Sequence, residues 1–122
     1  MGHILIVDDD RATVRLLTIL LEMDGFEVSQ SPRPGTALDQ GKANSVDAFL
    51  IDCHLAGFDG LELLREIRAD ADLASSLVIM SSGRDLEREA LEAGADLFLL
   101  KPFSPSELSA TLSELMRERQ GS

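Results

Sequence analysis

The chain contains little cysteine and no long apolar run. Its one cysteine, Cys53, cannot form an internal disulfide, which fits a reducing compartment such as the cytoplasm. The longest apolar run, Leu16–Leu21, is far shorter than the ~20 residues that span a bilayer. The apolar stretch Ile4–Val7 leads directly into aspartates and does not have the form of a secretory signal. We therefore expect a cytoplasmic protein without a membrane span.

Positive charge is scarce as well. The 22 acidic residues outnumber the 11 basic ones, and the formal net charge is −11. Because nucleic-acid ligands require clustered lysine and arginine, direct binding to nucleic acid is not expected. The acid surplus favours cations and basic protein surfaces as partners. Only two residues, Lys42 and Lys101, are lysines.

The 122 residues fit one domain, since domains cluster near ~100–150 residues; a tail begins at about residue 117. Short apolar runs alternate with helical stretches, which predicts an α/β fold of the (βα)₅ type. The predicted strands are His3–Val7, Phe26–Gln30, Asp47–Ile51, Leu77–Ser81 and Leu97–Leu100. Four of these runs are almost continuously apolar, as in parallel strands covered on both faces, whereas the second alternates and is expected at an edge.

The helices are predicted from their ends and apolar faces. Asp10 is expected to cap a first helix that ends before Gly25. Weaker patterns predict a second helix over Pro32–Asn44 and a short fourth over Asp85–Ala93. In the third helix one face is apolar (Leu61, Leu64, Ile67), and Arg65, Glu66 and Arg68 are expected to face solvent. The last helix begins at a capping box, Ser104–Glu107, and has Leu108, Leu112 and Leu115 as its apolar stripe.

Polar residues follow four of the predicted strands. They are Asp8, Asp9 and Asp10 after the first, Asp52 after the third, Ser82 after the fourth and Lys101 after the fifth. In open α/β sheets, ligands bind beyond the carboxyl ends of the strands. A flavodoxin-like doubly wound order, 2-1-3-4-5, is borrowed here from known folds rather than derived from these residues. In that order strands 1 and 3 are neighbours, and Asp8, Asp9 and Asp52 converge.

Converging carboxylates need a counter-charge. Two charges ~4 Å apart repel by about 4 kcal/mol at an effective dielectric near 20, and either protonation or a hard cation such as Mg²⁺ relieves this. The ammonium of Lys101 suits a contact with a carboxylate or phosphoryl oxygen. If each residue is considered by itself, Asp10 is interpreted as a helix cap and Lys101 as a surface lysine. Together with the hydroxyl of Ser82, these groups favour a phosphoryl-transfer site with Asp52 as nucleophile.

At these motifs the chain resembles the receiver domains of two-component response regulators. Residues Ile4–Asp10 are similar to the family's first strand and acidic pair, and Ile51–Gly60 to its phosphoacceptor loop. Residues Gly94–Phe103 are similar to its fifth strand and lysine motif. The resemblance extends from about Ile4 to Met116, almost the whole chain.

The resemblance implies that Asp52 accepts a phosphoryl group from the phosphohistidine of a sensor histidine kinase or phosphotransfer protein. Asp9 and Asp52 would ligate Mg²⁺ with the main-chain carbonyl of His54, and Asp8 would act partly through water. Ser82 would donate a hydrogen bond to the phosphoryl group, and Lys101 would hold its remaining oxygens. Such a domain is no enzyme in the usual sense, since it catalyses only its own phosphoryl transfer and autodephosphorylation.

The resemblance also implies a switch. Phe98 would rotate inward as Ser82 moves, which would change the surface that a downstream output domain or protein recognises. A homodimer that forms on phosphorylation is also among the expected partners. The Lys101–Pro102 bond is expected to be cis by analogy.

Three departures and three alternatives stay open. Ala56 stands where the family usually has proline, Ser81 competes with Ser82 as the conserved hydroxyl, and the segment from Ser82 to Gly94 is about three residues short. We prefer Ser82 because the small Gly83 follows it.

A magnesium-dependent aspartyl phosphatase would need a second acid at residue 54. A flavin binder would be disfavoured by three aspartates, and a degenerate receiver would serve only for interaction.

Overall fold

The computed structural model describes residues 2–31, 34–55 and 57–120. The strands are β1 His3–Val7, β2 Glu27–Ser31, β3 Ala48–Asp52, β4 His54–Leu55, β5 Phe58–Asp59, β6 Leu77–Ser82 and β7 Leu97–Leu100. The helices are α1 Arg11–Met23, α2 Pro34–Ala43, α3 Gly60–Ala69, α4 Glu87–Ala93 and α5 Pro105–Gln120. Within the described ranges, none of the helices combines the length and the apolar character that crossing a membrane requires.

Five parallel strands form the main sheet in the order β2-β1-β3-β6-β7. Counting these long strands alone gives 2-1-3-4-5, so the doubly wound, flavodoxin-like prediction is confirmed, with β2 at an edge. Two predicted strands are displaced by one residue. The reason is that the ladder with β1 pairs His3 with Glu27 and Ile4 with Ala48, and pairing with a neighbour defines where a strand begins.

Alternating strand residues form two hydrophobic cores, one on each face of the sheet. Leu5, Phe49, Val78 and others pack with α2, α3 and α4, and Ile4, Leu50, Ile79 and others pack with α1 and α5. Each fully buried side chain of this kind contributes roughly 1.5–3 kcal/mol. Because both faces are covered, strands β3 and β6 are buried along their whole length, which explains their continuous apolar sequence.

The helix ends largely follow the sequence signals. The Asp10 carboxylate accepts hydrogen bonds from the amides of Ala12 and Thr13, and Gly25 follows the helix with a φ of 96°. The Ser104 hydroxyl accepts a hydrogen bond from the Glu107 amide at 3.4 Å, as the capping box predicts. Helix α4 begins at residue 87 rather than 85, because the Asp85 carboxylate accepts the Glu87 amide at 3.2 Å and so precedes the first turn.

Several expectations were wrong in detail. In α3 the buried apolar residues are Leu63, Leu64 and Ile67, and Leu61 is only partly buried. Arg68 does not face solvent but is half-buried, with several hydrogen bonds. The short antiparallel pair β4–β5 was not predicted. Three parts of the predictions lie outside the described residues. They are the expectation for Ala56, the first two residues of the predicted second helix and the last two residues of the tail.

Candidate functional site

Three carboxylates meet at the carboxyl end of the sheet. Strands β1 and β3 are neighbours with Val7 opposite Ile51, so the residues that follow, Asp8 and Asp52, lie side by side. Carboxylate oxygens of Asp8, Asp9 and Asp52 all lie within 4.8 Å of one another. Asp8 and Asp52 are buried whereas Asp9 is exposed. The structure thus brings together the acidic residues that the strand order predicts, with one of them open to solvent.

Lys101 places an ammonium between the two buried carboxylates. Its Nζ lies 3.2 Å from Oδ2 of Asp52 and 3.4 Å from Oδ2 of Asp8. Its main-chain amide donates to the carbonyl of Ser82 at 2.8 Å, and the Lys101–Pro102 bond is cis, as expected. These contacts fix the ammonium at the end of β7, facing the ends of β1 and β3.

Main-chain amides orient the same two carboxylates from the other side. Oδ1 of Asp52 accepts the His54 amide at 3.0 Å, and Oδ1 of Asp8 accepts the Asp10 amide at 2.9 Å. In both side chains, therefore, one oxygen faces the backbone and the other faces Lys101.

Burial and charge act against each other in this cluster. Burial raises the pKa of Asp8, and the Asp10 amide and Lys101 offset this only in part. Burial alone would lower the pKa of Lys101, but the charges of Asp8 and Asp52 and the hydrogen bonds to them raise it overall. Lys101 is therefore charged at neutral pH, while the ionised form of Asp8 is disfavoured. A bound cation would relieve that cost.

Gly60 is a positioning residue that was predicted only as part of a motif. A Cβ at this residue would collide with the main-chain oxygen of Asp52 and the Cα of Cys53. The Gly60 amide also donates to the Cys53 carbonyl at 2.9 Å. A glycine is therefore needed for α3 to begin directly against the end of β3. The signal in the sequence was a glycine just after the N-cap Asp59.

Ser81 and Ser82 are both buried at the end of β6 but, by strand alternation, face opposite sides of the sheet. The Ser82 hydroxyl accepts the Arg84 amide at 3.0 Å. Met80 pairs with Phe98 and Ser82 with Leu100, so Ser82 and Phe98 lie diagonally on one face. Phe98 is already buried, with 7% exposure. Its inward rotation and the choice of Ser82 stay predictions.

Among the described residues of the loop after β3, Cys53 and His54 are the two that could bind a soft metal. Burial, followed by the charge of Asp52, raises the pKa of the Cys53 thiol to about 11, so the thiol is protonated at neutral pH. The His54 side chain is exposed, and the role of its main-chain carbonyl as a ligand stays a prediction. Carboxylate oxygens, which suit Mg²⁺, are the fitting donor set in this part of the chain.

A doubly wound sheet that collects three carboxylates and one lysine beyond its carboxyl edge defines a flavodoxin-like domain with an acidic site. The sequence matches the response regulator receiver domain family over residues 4–113. The response regulator MprA of Mycobacterium avium (strain 104) is 38% identical over 116 residues, covering 94% of this chain and 51% of that protein. MprA of Mycobacterium sp. (strain KMS) is 39% identical, with 94% and 50% covered.

Solved structures agree with this match. A receiver domain protein (CheY-like) from Methanospirillum hungatei JF-1 has a TM-score of 0.89 and 31% identity, covering 99% of this chain and 98% of that one. A putative response regulator from Chloroflexus aurantiacus J-10-fl has a TM-score of 0.88 and 31% identity, with 95% and 98% covered.

The chain belongs to the response regulator receiver domain family of two-component signalling. It spans about half the length of the curated relatives it matches. Receiver domains bind Mg²⁺ at an acidic pocket, and Asp8, Asp9 and Asp52 form such a cluster here.

Proposed function

We propose that this chain is a phosphoacceptor switch in which Asp52 accepts a phosphoryl group from a phosphohistidine. The donor would be a sensor histidine kinase or a phosphotransfer protein in the cytoplasm. The supporting observation is the cluster itself: three carboxylates within 4.8 Å of one another, two of them bound by Lys101. A nucleophile, a site for a hard cation and a fixed ammonium are the parts that phosphoryl transfer requires.

In the transfer, a carboxylate oxygen of Asp52 forms a bond to phosphorus while the bond from phosphorus to the histidine nitrogen breaks. The electron pair of that bond stays on the imidazole of the donor. Asp9 and Asp52, with the His54 carbonyl and with Asp8 partly through water, would hold Mg²⁺. When bound, this ion neutralises charge on the carboxylates and the phosphoryl oxygens. Lys101 would hold a phosphoryl oxygen directly.

The phosphoryl group would then change the surface of the domain. Ser82 and Lys101 would turn toward the new oxygens, and Phe98, diagonal to Ser82, would repack. Reversing a 1:99 equilibrium requires ~5.5 kcal/mol of differential interaction, which a few charge-assisted hydrogen bonds of ~1.5–3 kcal/mol each can supply. Helix α4 has seven residues, of which Ala90 alone is buried, so little packing opposes its displacement. An output domain or protein would recognise the changed surface.

The test is phosphorylation by a small acyl phosphate or phosphoramidate with Mg²⁺, followed by intact mass. We expect the wild type to gain one phosphoryl group and Asp52→Asn to gain none, because the amide is not a nucleophile. Chelation of Mg²⁺ should slow the reaction at least tenfold. Asp72→Asn, an exposed aspartate at the opposite end of the sheet, is the matched control and should behave as the wild type.

Other outcomes would reject the proposal. Phosphorylation of Asp52→Asn at the wild-type rate would exclude Asp52 as the acceptor. Sustained turnover of a phosphomonoester would indicate a phosphatase. If the NMR spectrum does not change when Mg²⁺ and beryllofluoride are added, the domain serves only for interaction.

A further inference from the structure

Helix α1 is apolar on two opposite sides. Its inner side, Val14, Leu17 and Leu21, is buried in the core. Its outer side has Leu16, Ile19 and Met23 exposed by 53%, 51% and 76%. These three are half of the large hydrophobic residues that are exposed in the described part of the chain. A surface helix normally has polar residues on its outer side, so this concentration indicates a covered surface.

The spacing of the outer residues matches that of a helix–helix seam. Ala12, Leu16, Ile19 and Met23 follow one another at intervals of four, three and four residues. This is the alternation of a and d positions in a coiled coil. In that register Leu16 and Met23 are a positions, and Ala12 and Ile19 are d positions. We name these four residues the outer seam.

Two opposite charges flank the outer seam on the same side. Arg15 and Glu22 both occupy g positions, and both are exposed. Neither takes part in an ion pair with any residue within the described ranges. When two such helices pack antiparallel, g positions lie opposite g positions. Arg15 of each copy then lies opposite Glu22 of the other, and Leu16 lies opposite Ile19.

We propose that the outer seam of α1 binds the same seam of a second copy of this chain in an antiparallel, twofold arrangement. Arg15 and Glu22 carry opposite charges, so two antiparallel copies of this helix form an attractive pair at both positions. An unrelated helix would need matching charges of its own, and the charges therefore favour a second copy. A twofold axis then repeats the complementary contact. The seam extends over only about three helical turns, and a helix pair of that length buries less surface than the ~1,200–2,000 Å² of a stable interface. The dimer is therefore weak and depends on concentration.

The seam adjoins the acid cluster. A groove of about 340 Å³ is lined by Asp8, Asp9, Arg15 and Ile19, among others. A second copy on α1 would narrow the approach to Asp9, so the monomer is the form open to a phosphodonor. This consequence rests on the proposed function, whereas the dimer itself does not.

Sedimentation velocity of the full chain over a dilution series tests the dimer without any phosphorylation. Arg15→Glu and Glu22→Arg each place like charges opposite one another twice, and each should weaken the dimer by about tenfold. An equimolar mixture of the two variants should recover association, because both contacts become attractive again in the mixed dimer. The double variant should recover it as well. Arg88→Glu, an exposed arginine on α4, is the matched control and should leave association unchanged.

Arg15, Glu22 and Arg88 are all exposed, so circular dichroism should show that these variants fold as the wild type does. A wild type that stays monomeric at millimolar concentration would overturn the proposal. So would association that the mixture fails to recover. If Ile19→Lys instead slows transfer from a histidine kinase and no dimer is seen, the outer seam belongs to the phosphodonor and the proposal is wrong.

Discussion

Two charged clusters lie at opposite ends of the main sheet, and they are built differently. At the amino ends of β6 and β7, Arg68 donates to the Asp96 carboxylate at 3.0 Å. It also donates to the carbonyls of Gly94, Ala74 and Ser76 at 2.9, 2.9 and 2.6 Å. The same Asp96 oxygen accepts the Val78 amide at 2.8 Å. One cation and one anion are thus matched, and main-chain carbonyls accept the hydrogen bonds from Nε and Nη1 of Arg68.

At the carboxyl ends the charges are not matched. Asp8 and Asp52 share the single ammonium of Lys101, and an Asp9 oxygen lies within 4.8 Å of theirs. Burial disfavours the ionised form of Asp8. A matched cluster stabilises the fold, whereas an unmatched one costs stability and is retained for binding or chemistry. The balance of charge, more than the number of charged groups, separates the two ends.

The largest expected effect is at the matched end. Arg68→Met should lower the free energy of unfolding by about 2–4 kcal/mol, because it leaves the Asp96 carboxylate and three carbonyls without their donor. Urea unfolding followed by circular dichroism measures this. Mg²⁺ affinity should be unchanged, since Arg68 lies at the far end of the sheet from the acid cluster.

Arg65→Met is the matched control for this prediction. Arg65 lies on the same helix but makes one exposed ion pair, with Glu62 at 3.5 Å, and such pairs contribute ~0–1 kcal/mol. If both variants lose the same free energy of unfolding, the Arg68 cluster has no special structural role.

A smaller effect is expected from Lys101→Met. Without magnesium, the free energy of unfolding of this variant should fall by about 1–2 kcal/mol, because Asp8 and Asp52 then repel each other without a counter-charge. Magnesium should recover most of that loss and should bind more tightly than in the wild type, since a competing cation is gone. Unfolding with and without Mg²⁺ provides the comparison. A loss that Mg²⁺ does not change would show that Lys101 contributes by packing alone.

The acid cluster could be predicted from the sequence because its geometry follows from topology. Parallel strands bring their carboxyl ends to one edge, and in the strand order borrowed from known folds β1 and β3 are neighbours, so Asp8 and Asp52 lie close together. Lys101 follows β7, which is not a neighbour of either strand, and its long side chain reaches both carboxylates. The identities of Asp8, Asp52 and Lys101 at those ends then indicated the chemistry. Helix ends such as the Asp10 cap were predictable for a different reason, because their signals are local in the sequence.

The matched cluster could not be predicted because its partners are remote in sequence. The helical pattern marks Arg68 only as a polar residue on the outer side of α3. Its partner Gly94 lies 26 residues further along the chain, and nothing local connects the two. Strand bounds shifted by one residue for a related reason, since they depend on the neighbouring strand. The close approach at Gly60 likewise depends on the packing of α3 against β3.

The smallest expected effect has the opposite sign, and it depends on pH. Asp8→Asn should raise the free energy of unfolding by about 1 kcal/mol at pH 7 in metal-free buffer, because it removes a buried charge from an unmatched cluster. Burial raises the pKa of Asp8 above the ordinary 3.8, so ionisation costs stability as pH rises from 3.8 through the raised value. The gain should therefore be absent below pH 3.8 and should grow as the pH rises above it. Asp96→Asn, at the matched end, should lose stability instead. A loss for Asp8→Asn at pH 7 would contradict the distinction between the two clusters.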